Sequence, residues 1–473
     1  MTLQERSISI ITVSIMLFFT IILTGPPHVL AASHLLPHVS PKMEESEFWI
    51  KKLTNPNRLL FTPEEIQKMN EEGLRRQDLL LCNVKDLKEE WTREEILSLL
   101  MEDWEGFGKK DEARYDKYGN PLAEPFWTEL EKNLNEESLE ERSRMLFGLV
   151  VKRTDIRFYP TREICVSSPT NSEFDQFQHS SVSPGSLIGV YHFSKDKLWA
   201  YVQTRFVRGW VRRADLAIAK EKNEAVDYEE AKERLVITGD FINVFRDPSL
   251  QQTAFLAQMG TSFPLLKLPG QTGEASHYYV VKIPFREIDG KLTFRNGYIP
   301  KNDDVHSGFL PYTQENVARQ AFKMHHQPYG WGEMFGARDC SRFIMDIFSA
   351  FGILMPRNSK FQAMVGIPLG PVEGKIIKEK AKVLDRAIPL ATTLRLPGHI
   401  MLYLGKDKGK YYAIHNIWGI QKVGEFGPVL EKIGRVVISD LSLGSSGPSG
   451  SLLDRITDVR VIGPNLEAKK RFP

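Results

Sequence analysis

The sequence predicts a multidomain α+β protein with a helical N-terminal segment, two small β-barrels and a C-terminal α+β domain. Three observations support this fold class: helix-capping motifs in the first third, two stretches of short alternating strands in the middle, and an amphipathic helix followed by a β-hairpin in the last third. The chain has 473 residues, which suits about three domains of about 150 residues each. Its 42% hydrophobic content excludes a largely disordered chain, and 62 basic against 60 acidic residues disfavours nucleic-acid binding.

The N-terminus has the pattern of a secretory signal peptide. Arg6 precedes an apolar run from Ile8 to Leu23, and Val29-Leu30-Ala31 supplies small residues at the usual cleavage spacing. We therefore expect a signal peptide over 1–32, an exported protein, and no stable membrane insertion after cleavage. The alternative is a retained membrane anchor, because the apolar run approaches the length that spans a bilayer.

The chain has three cysteines, Cys82, Cys165 and Cys340. An odd number cannot all pair within one chain, so a disulfide-built scaffold is excluded and at least one thiol is free. Export would allow Cys82 and Cys165 to form a disulfide, and the sequence leaves that pairing open. It also leaves the number of subunits open.

Residues 33–140 have a polar, helical pattern. Thr62 and Glu65 make one capping box, and Thr92 and Glu95 make a second. An apolar stripe at helical spacing follows the second box. No pattern in this region points to chemistry, so we expect a helical domain that packs on its neighbours.

Residues 141–228 and 229–308 each have the pattern of a small all-β unit. Short alternating strands are separated by turns rich in proline, glycine and serine, which favours a small barrel or sandwich. Both units contain an early strand with an arginine before a turn, then a strand rich in aromatics, then a triplet of glycine, an aromatic and an aliphatic residue. We therefore predict an internal repeat with a period of about 90 residues. The arginines are Arg157 and Arg246, and the triplets are Gly209-Trp210-Val211 and Gly297-Tyr298-Ile299.

Cys340 stands at the predicted start of an amphipathic helix. Asp339 is a suitable N-cap, and apolar residues recur at helical spacing until Gly352. A helix N-terminus carries a partial positive charge and unpaired N–H groups, which favour the thiolate and can receive an oxyanion. The pattern predicts a nucleophile with a lowered thiol pKa. A buried, inert cysteine is the alternative.

A β-hairpin pattern over 399–416 carries two histidines. If the loop has an odd number of residues centred on Asp407, His399 and His415 lie directly opposite each other on one face of the sheet. One ring could then orient the other as a general base. An even loop would shift the register by one residue and turn His415 to the wrong face. A hairpin with two nonfunctional surface histidines also fits the pattern.

Two paired histidines could instead bind a metal ion. The sequence shows no third ligand at a suitable spacing. His325 and His326 are adjacent in a predicted helix, where their side chains should point apart. We therefore predict no metal site.

Four motifs in residues 328–405 resemble those of the NlpC-type cysteine peptidases, which are papain-like hydrolases of bacterial cell walls. The preceding layout resembles family members with tandem SH3-like domains. The resemblance implies SH3-like domains over 141–228 and 229–308, and a papain-like α+β catalytic domain over 309–473. The motifs are Pro328-Tyr329-Gly330-Trp331-Gly332, Asp339-Cys340-Ser341, Gly352 to Ser359 and Gly398 to Gly405.

The resemblance implies a role for each matched residue. Cys340 corresponds to the nucleophile, His399 to the general base, and His415 to the polar residue that orients the base. No cofactor and no metal are implied. The tyrosine beside the oxyanion and the polar residues that line the substrate pocket correspond to Tyr329, Asp339, Ser341 and Ser359.

The implied activity is cleavage of peptidoglycan stem peptides or muropeptides between D-γ-glutamate and a diamino acid, either diaminopimelate or lysine. The implied location is the periplasm or cell envelope of a bacterium. Glu333 and Arg342 depart from the pattern, because the family usually has glycine at both positions. The alternatives are a catalytically silent wall-binding protein and an amidase or transacylase of the same fold that acts on another bond.

Overall fold

A computed structural model describes residues 35–107, 112–170, 172–267 and 277–464. The predicted signal peptide over 1–32 lies outside the described residues. Among the residues that the structure does describe, no helix is both long enough and apolar enough to cross a membrane.

The first part of the described chain is helical, as its capping motifs predict. Both capping boxes form: the threonine hydroxyl accepts from the glutamate N–H three residues on, and the glutamate carboxylate accepts from the threonine N–H. A two-stranded ribbon flanks these helices. The elements are α1 (Ser46–Ile50), α2 (Pro63–Arg75), β1 (Glu90–Thr92), α3 (Arg93–Phe107), α4 (Glu124–Leu134) and β2 (Arg142–Arg144).

Two seven-stranded antiparallel sheets follow, in the orders β5-β4-β8-β7-β6-β3-β9 and β12-β11-β15-β14-β13-β10-β16. Each strand of the first sheet thus has a counterpart seven strands later, which confirms the predicted internal repeat. The first sheet contains β3 (Leu146–Val150), β4 (Thr154–Arg157), β5 (Gln178–Val182), β6 (Leu187–Phe193), β7 (Trp199–Gln203), β8 (Arg208–Arg212) and β9 (Leu216–Ile218). After α5 (Lys222–Glu229), the second contains β10 (Arg234–Ile237), β11 (Phe241–Phe245), β12 (Thr253–Gln258), β13 (Ser262–Leu266), β14 (Tyr278–Arg286), β15 (Leu292–Pro300) and β16 (Val305–Ser307).

The predicted triplets occupy equivalent positions in the two sheets. Arg157 pairs with Trp210 in the first sheet, and Phe245 pairs with Tyr298 in the second. A β-bulge lies at this point in both strands. The counterpart of Arg157 is therefore Phe245 and not Arg246. Since adjacent strand residues point to opposite faces, the predicted match of the two arginines is wrong by one residue.

The C-terminal region is a six-stranded antiparallel sheet, in the order β17-β22-β18-β19-β20-β21, packed against helices. The apolar face of helix α7 is fully buried in one core with the start of strand β19. This packing brings the helix tip to the strand. The elements are α6 (Gln314–Lys323), α7 (Cys340–Ser349), α8 (Ser359–Gln362), β17 (Ile367–Pro368), α9 (Ile377–Leu384), β18 (Thr392–Leu396), β19 (His399–Asp407), β20 (Lys410–Gly424), β21 (Gly427–Asp440), α10 (Leu452–Arg455) and β22 (Asp458–Val461).

The predicted divergence of His325 and His326 is wrong. Helix α6 ends at Lys323, so neither residue is helical, and His326 has a φ of 67° in the left-handed region. The two rings stack with their centroids 3.7 Å apart.

The three cysteines are all free thiols. Cys165 is buried and Cys82 is partly buried. The disulfide that export would allow between them is not formed.

Candidate active site

The N-terminus of α7 positions the first functional side chain. Asp339 caps this helix, and one of its carboxylate oxygens accepts the Arg342 N–H at 2.8 Å. Cys340 is the first residue of the helix, as predicted, and it is 6% exposed. The backbone N–H of Ile400, the second residue of β19, is close enough to the sulfur to act on its ionisation. The thiol therefore lies where the helix tip meets the strand that begins with His399.

The two predicted histidines lie together. His399 Nε2 and His415 Nδ1 are 2.7 Å apart, which is a hydrogen-bond distance. His415 Nε2 lies 2.9 Å from the hydroxyl of Ser439 on β21. A chain of three polar side chains thus crosses β19, β20 and β21. Because this chain uses Nε2 of His399, Nδ1 is the ring atom that remains for proton transfer.

The separation of the two imidazoles also bears on the metal alternative. Two ligands of a tetrahedral zinc ion, each with a bond of about 2.0–2.1 Å, are about 3.3 Å apart. The 2.7 Å between His399 and His415 is shorter, and it indicates a shared proton rather than a shared metal ion.

Of the two hairpin registers that the sequence leaves open, the structure has the one with an even loop. The turn consists of Lys408 and Gly409, both with positive φ, and Asp407 pairs directly with Lys410. The loop therefore has an even number of residues. Taken alone, an even loop would place the two histidines on opposite faces of the sheet.

A β-bulge in β19 restores the shared face. The pairing shifts by one residue between Tyr403 and Gly405, and Gly405 has a φ of 127°, which favours glycine. One extra residue in the strand cancels the change of face that the even loop causes. His399 and His415 thus meet as diagonal neighbours and not as directly opposed ones.

Burial governs the ionisation of the thiol and the imidazole. It raises the pKa of Cys340 to about 12, and the charge of Asp339 adds to the rise. The Ile400 N–H, Arg357 and the helix backbone act in the opposite direction. Burial also lowers the pKa of His399 to about 3. The predicted lowering of the thiol pKa is therefore wrong, because desolvation of the charged form outweighs the helix terminus, and the resting pair is neutral.

Tyr329 lies beside the thiol. Burial raises the pKa of its hydroxyl, and the charges of Cys340 and Asp339 add to the rise. The hydroxyl therefore stays protonated and can donate a hydrogen bond. The Tyr329 ring packs against Trp418 with centroids 5.8 Å apart, and Trp418 in turn contacts Phe174, which precedes β5, at 5.1 Å. The first sheet thus reaches the same site.

Asp339 and Ser341 are held by Arg357. Its guanidinium donates to both Asp339 oxygens, at 3.2 and 2.7 Å, and to the Ser341 hydroxyl at 2.8 Å. Both residues therefore fix the start of α7, and their contact with substrate stays a prediction. Ser359 is half-buried at the start of α8, next to the N-cap Asn358, and its substrate contact is likewise a prediction.

The two departures from the family pattern form one buried ion pair. Arg342 lies 3.2 Å from the carboxylate of Glu333, whose side chain is 0% exposed. Arg153 and Arg357 contact the same carboxylate at 3.4 and 3.3 Å. Glu333 has a φ of 70°, a backbone conformation that favours glycine. Three guanidinium groups thus hold a strained, buried glutamate in place.

Strand β5 completes this charge cluster. The hydroxyls of Ser180 and Ser181 donate to Glu333 at 2.8 and 2.6 Å, and the Ser181 N–H donates at 3.0 Å. Sequence reasoning missed both serines, and also Arg357 and Ser439. The one available signal was that Glu333 and Arg342 are opposite charges nine positions apart, each at a position where glycine is usual.

Comparisons with known proteins agree with this architecture. A family model for an SH3 domain of the SH3b1 type matches residues 167–212, within the first sheet. A solved NlpC/P60 endopeptidase from Photobacterium damselae subsp. piscicida has a TM-score of 0.69, covering 88% of this chain and 97% of its own at 18% identity. An NlpC/P60 family protein from Bacillus cereus ATCC 10987 has a TM-score of 0.42, covering 61% of this chain and 83% of its own at 17% identity. No curated protein matches the sequence.

The fold is a multidomain α+β architecture in which two SH3-like sheets accompany a C-terminal sheet that packs against helices. It is the fold of the NlpC/P60 endopeptidase from Photobacterium. The predicted fold class and the resemblance to NlpC-type peptidases with SH3-like domains are therefore confirmed.

Proposed function

We propose that this protein is an exported cysteine endopeptidase that hydrolyses peptidoglycan stem peptides between D-γ-glutamate and a diamino acid, either diaminopimelate or lysine. The observation that carries the proposal is the arrangement around α7: Cys340 starts the helix against strand β19, and His399 at the start of that strand is hydrogen-bonded to His415. Acyl transfer requires a thiol and an oriented imidazole in one cleft, and Ile400, whose N–H acts on the sulfur, directly follows His399 in the chain. The SH3-like sheets and the shared fold support a cell-wall peptide as the substrate.

In the proposed reaction, the Cys340 sulfur attacks the amide carbonyl while His399 accepts the thiol proton. The carbon–sulfur bond forms, and the N–H groups at the start of α7 and the Tyr329 hydroxyl bind the oxyanion. His399 then gives the proton to the leaving amine as the carbon–nitrogen bond breaks. Water, deprotonated by His399, cleaves the thioester and restores the thiol. His415, hydrogen-bonded to Ser439, holds the ring of His399 in place.

We further propose that residues 1–32 direct export and that the enzyme acts in the periplasm or cell envelope. A silent wall-binding protein is disfavoured, because such a protein has no need to keep the 2.7 Å hydrogen bond between His399 and His415. An amidase or transacylase on this fold would use the same thiol on another bond, so product analysis separates that activity from the proposed one.

The first experiment replaces the nucleophile. Cys340→Ala should abolish hydrolysis of the tripeptide L-alanyl-γ-D-glutamyl-diamino acid, because it removes the thiol that forms the acyl-enzyme in the proposed reaction. Mass spectrometry measures the free diamino acid and the dipeptide that remains. The matched control is Cys82→Ala, since Cys82 is a free thiol outside the site whose pKa burial raises to about 11.

Two outcomes would contradict the proposal. Release of the diamino acid by Cys340→Ala at the parent rate would exclude the thiol mechanism. Products of intact cell wall cut at a different bond, with the tripeptide untouched, would instead indicate an amidase or transacylase.

The second experiment separates the two histidines. His399→Ala removes the base itself, whereas His415→Ala removes only its orientation, so we expect a larger loss of kcat for His399→Ala. If the two variants lost kcat equally and added Zn²⁺ restored it, the result would argue that the two histidines share a metal ion. Circular dichroism of both variants controls for folding, because both rings belong to one buried network.

A further inference from the structure

Three potential metal ligands meet outside the thiol site. Glu44, His325 and His326 each offer one ligand atom, and these atoms all lie within 4.8 Å of one another. Glu44 ends a short 3₁₀ turn, Pro41–Glu44, in the N-terminal segment. The histidines follow α6 in the papain-like region. The cluster therefore joins two parts of the chain that are far apart in sequence.

The local backbone explains why adjacent histidines can serve one site. The His325 N–H bonds to Phe322 as the helix ends, and the His326 N–H bonds to Val436 on β21. The left-handed φ of 67° at His326 turns its side chain back over its neighbour, so the rings stack at 3.7 Å. Two consecutive side chains thus face Glu44 together, an arrangement that a regular helix would not allow.

The distances suit a bridging ion better than direct hydrogen bonds. Glu44 Oε1 lies 3.9 Å from His325 Nε2 and 3.7 Å from His326 Nε2. Both are beyond the usual hydrogen-bond range of about 2.7–3.2 Å. They exceed by about 0.4–0.6 Å the separation of about 3.3 Å between two ligands of a tetrahedral ion with bonds of about 2.0–2.1 Å, so a bound ion would draw the three side chains closer together. By contrast, His399 Nε2 and His415 Nδ1 are 2.7 Å apart, which is a hydrogen-bond distance.

We propose that Glu44, His325 and His326 form a binding site for a divalent transition-metal ion, and that Zn²⁺ is the ion best suited to it. Two imidazoles and one carboxylate are a common zinc donor set, with one position left for water. The guanidinium of Arg435 lies close enough to His325 to act on it electrostatically. Its charge opposes a cation, so the carboxylate of Glu44 is needed to offset it. The bound ion would fasten the segment 41–44 to the papain-like region.

The test uses the mature chain with Cys340→Ala, because the active-site thiol could itself bind Zn²⁺. After treatment with a chelator, titration calorimetry with Zn²⁺ should show one site, and the ion should raise the Tm. Adding His326→Ala should weaken binding by at least about tenfold, which is about 1.4 kcal/mol. Glu44→Gln should weaken it in the same way and should abolish the rise in Tm. His277→Ala, an exposed histidine outside the cluster, is the matched control and should change neither value.

A spectroscopic arm identifies the ligands. Co²⁺ bound in place of Zn²⁺ should give visible bands that disappear with His326→Ala, and the presence of Cys340 should not alter those bands. Equal Zn²⁺ affinity with and without His326→Ala and Glu44→Gln, in chains that stay folded by circular dichroism, would overturn the proposal. So would a single site that is lost only when His399 or His415 is replaced.

Discussion

The two seven-stranded sheets have the same strand order, yet they contact helix α7 at different places. The first sheet contacts residues on either side of Cys340. Ser180 and Ser181 donate to Glu333, and Glu333 pairs with Arg342 in the first turn of α7. The same sheet places Phe174 against Trp418, which in turn contacts the ring of Tyr329.

The second sheet contacts the helix further along, at Asp346 and Ser349, and also reaches Arg338, which precedes the helix. Gln258 donates to both oxygens of Asp346, at 3.3 and 3.2 Å, and Asp240 pairs with Arg338, which also holds Asp346 at 2.6 Å. Gly260 packs so close to Ser349, in the last turn of α7, that a Cβ atom would meet it at 2.4 Å.

Arg153 joins the two sets of contacts. It donates to Gln258 of the second sheet at 3.0 Å and to the backbone oxygen of Glu333 at 3.2 Å. Two sheets with the same strand order thus contact helix α7 in different ways. We infer that the first sheet positions Cys340 and that the second sheet stabilises the helix that carries it.

The largest loss of unfolding free energy is expected for Glu333→Gln. Asp240→Asn is the variant of the second sheet with which it is compared. Glu333 is fully buried among three arginines, so loss of its charge leaves those arginines without their shared partner and should cost about 3–5 kcal/mol of unfolding free energy. It should also lower kcat, since Arg357 holds both Glu333 and the cap Asp339. Asp240→Asn should cost less, because Arg338 keeps its bond to Asp346. Urea unfolding and tripeptide kinetics measure both effects.

A double variant serves as the control. Glu333→Gln with Arg342→Gln removes both charges, so its cost should be smaller than the sum of the two single costs. An Asp240→Asn variant that loses as much kcat as Glu333→Gln would remove the distinction between the two sheets.

The features that the sequence predicts correctly depend on local rules. Both capping boxes, the helix start at Cys340 and the partnership of His399 with His415 involve residues close together in the chain or in one hairpin. The register was not predictable, because the even turn and the bulge before Gly405 produce opposite errors that cancel. The Glu333 cluster was not predictable either, since its serines lie more than 150 residues away along the chain.

The thiol pKa shows the same limit. A helix terminus lowers a cysteine pKa wherever it occurs, and the sequence reveals the terminus. The sequence does not reveal how deeply the tertiary fold buries the sulfur. Burial dominates here and raises the pKa of Cys340, so the local rule gives the wrong sign.

A second effect, of intermediate size, should appear in the pH dependence of stability. Burial acts to raise the pKa of Glu333, but the three arginines and Ser181 hold it at about 2, below its ordinary value of 4.5. Its stabilising contribution, about 3 kcal/mol, is therefore complete above about pH 4.5 and is lost as the pH falls towards 2. The pH dependence for Asp240 has the opposite sign. Burial raises the pKa of Asp240 above 3.8, so its contribution to the unfolding free energy declines as the pH rises.

Urea unfolding at a series of pH values from 7 to 3 measures this difference. The gap in unfolding free energy between the parent and Glu333→Gln should narrow as the pH falls. The gap for Asp240→Asn should change in the opposite direction. Parallel slopes for the two variants would contradict the assigned electrostatics of both sheets.

The smallest changes in unfolding free energy and kcat are expected when one hydrogen-bonding side chain of each sheet is removed. Ser181→Ala removes a 2.6 Å bond to a buried carboxylate, so it should cost about 1.5–3 kcal/mol of unfolding free energy. Gln258→Ala removes bonds of 3.2–3.3 Å to Asp346, which Arg338 and Arg342 continue to hold, and the 3.0 Å bond from Arg153, which keeps its contacts with Glu333. If the first sheet positions the nucleophile, Ser181→Ala should lower kcat more than KM changes, and Ser181→Thr, which keeps the hydroxyl, should restore it. Gln258→Ala should change stability and leave kcat near the parent value, so a loss of kcat for Gln258→Ala at unchanged stability would show that both sheets position the thiol.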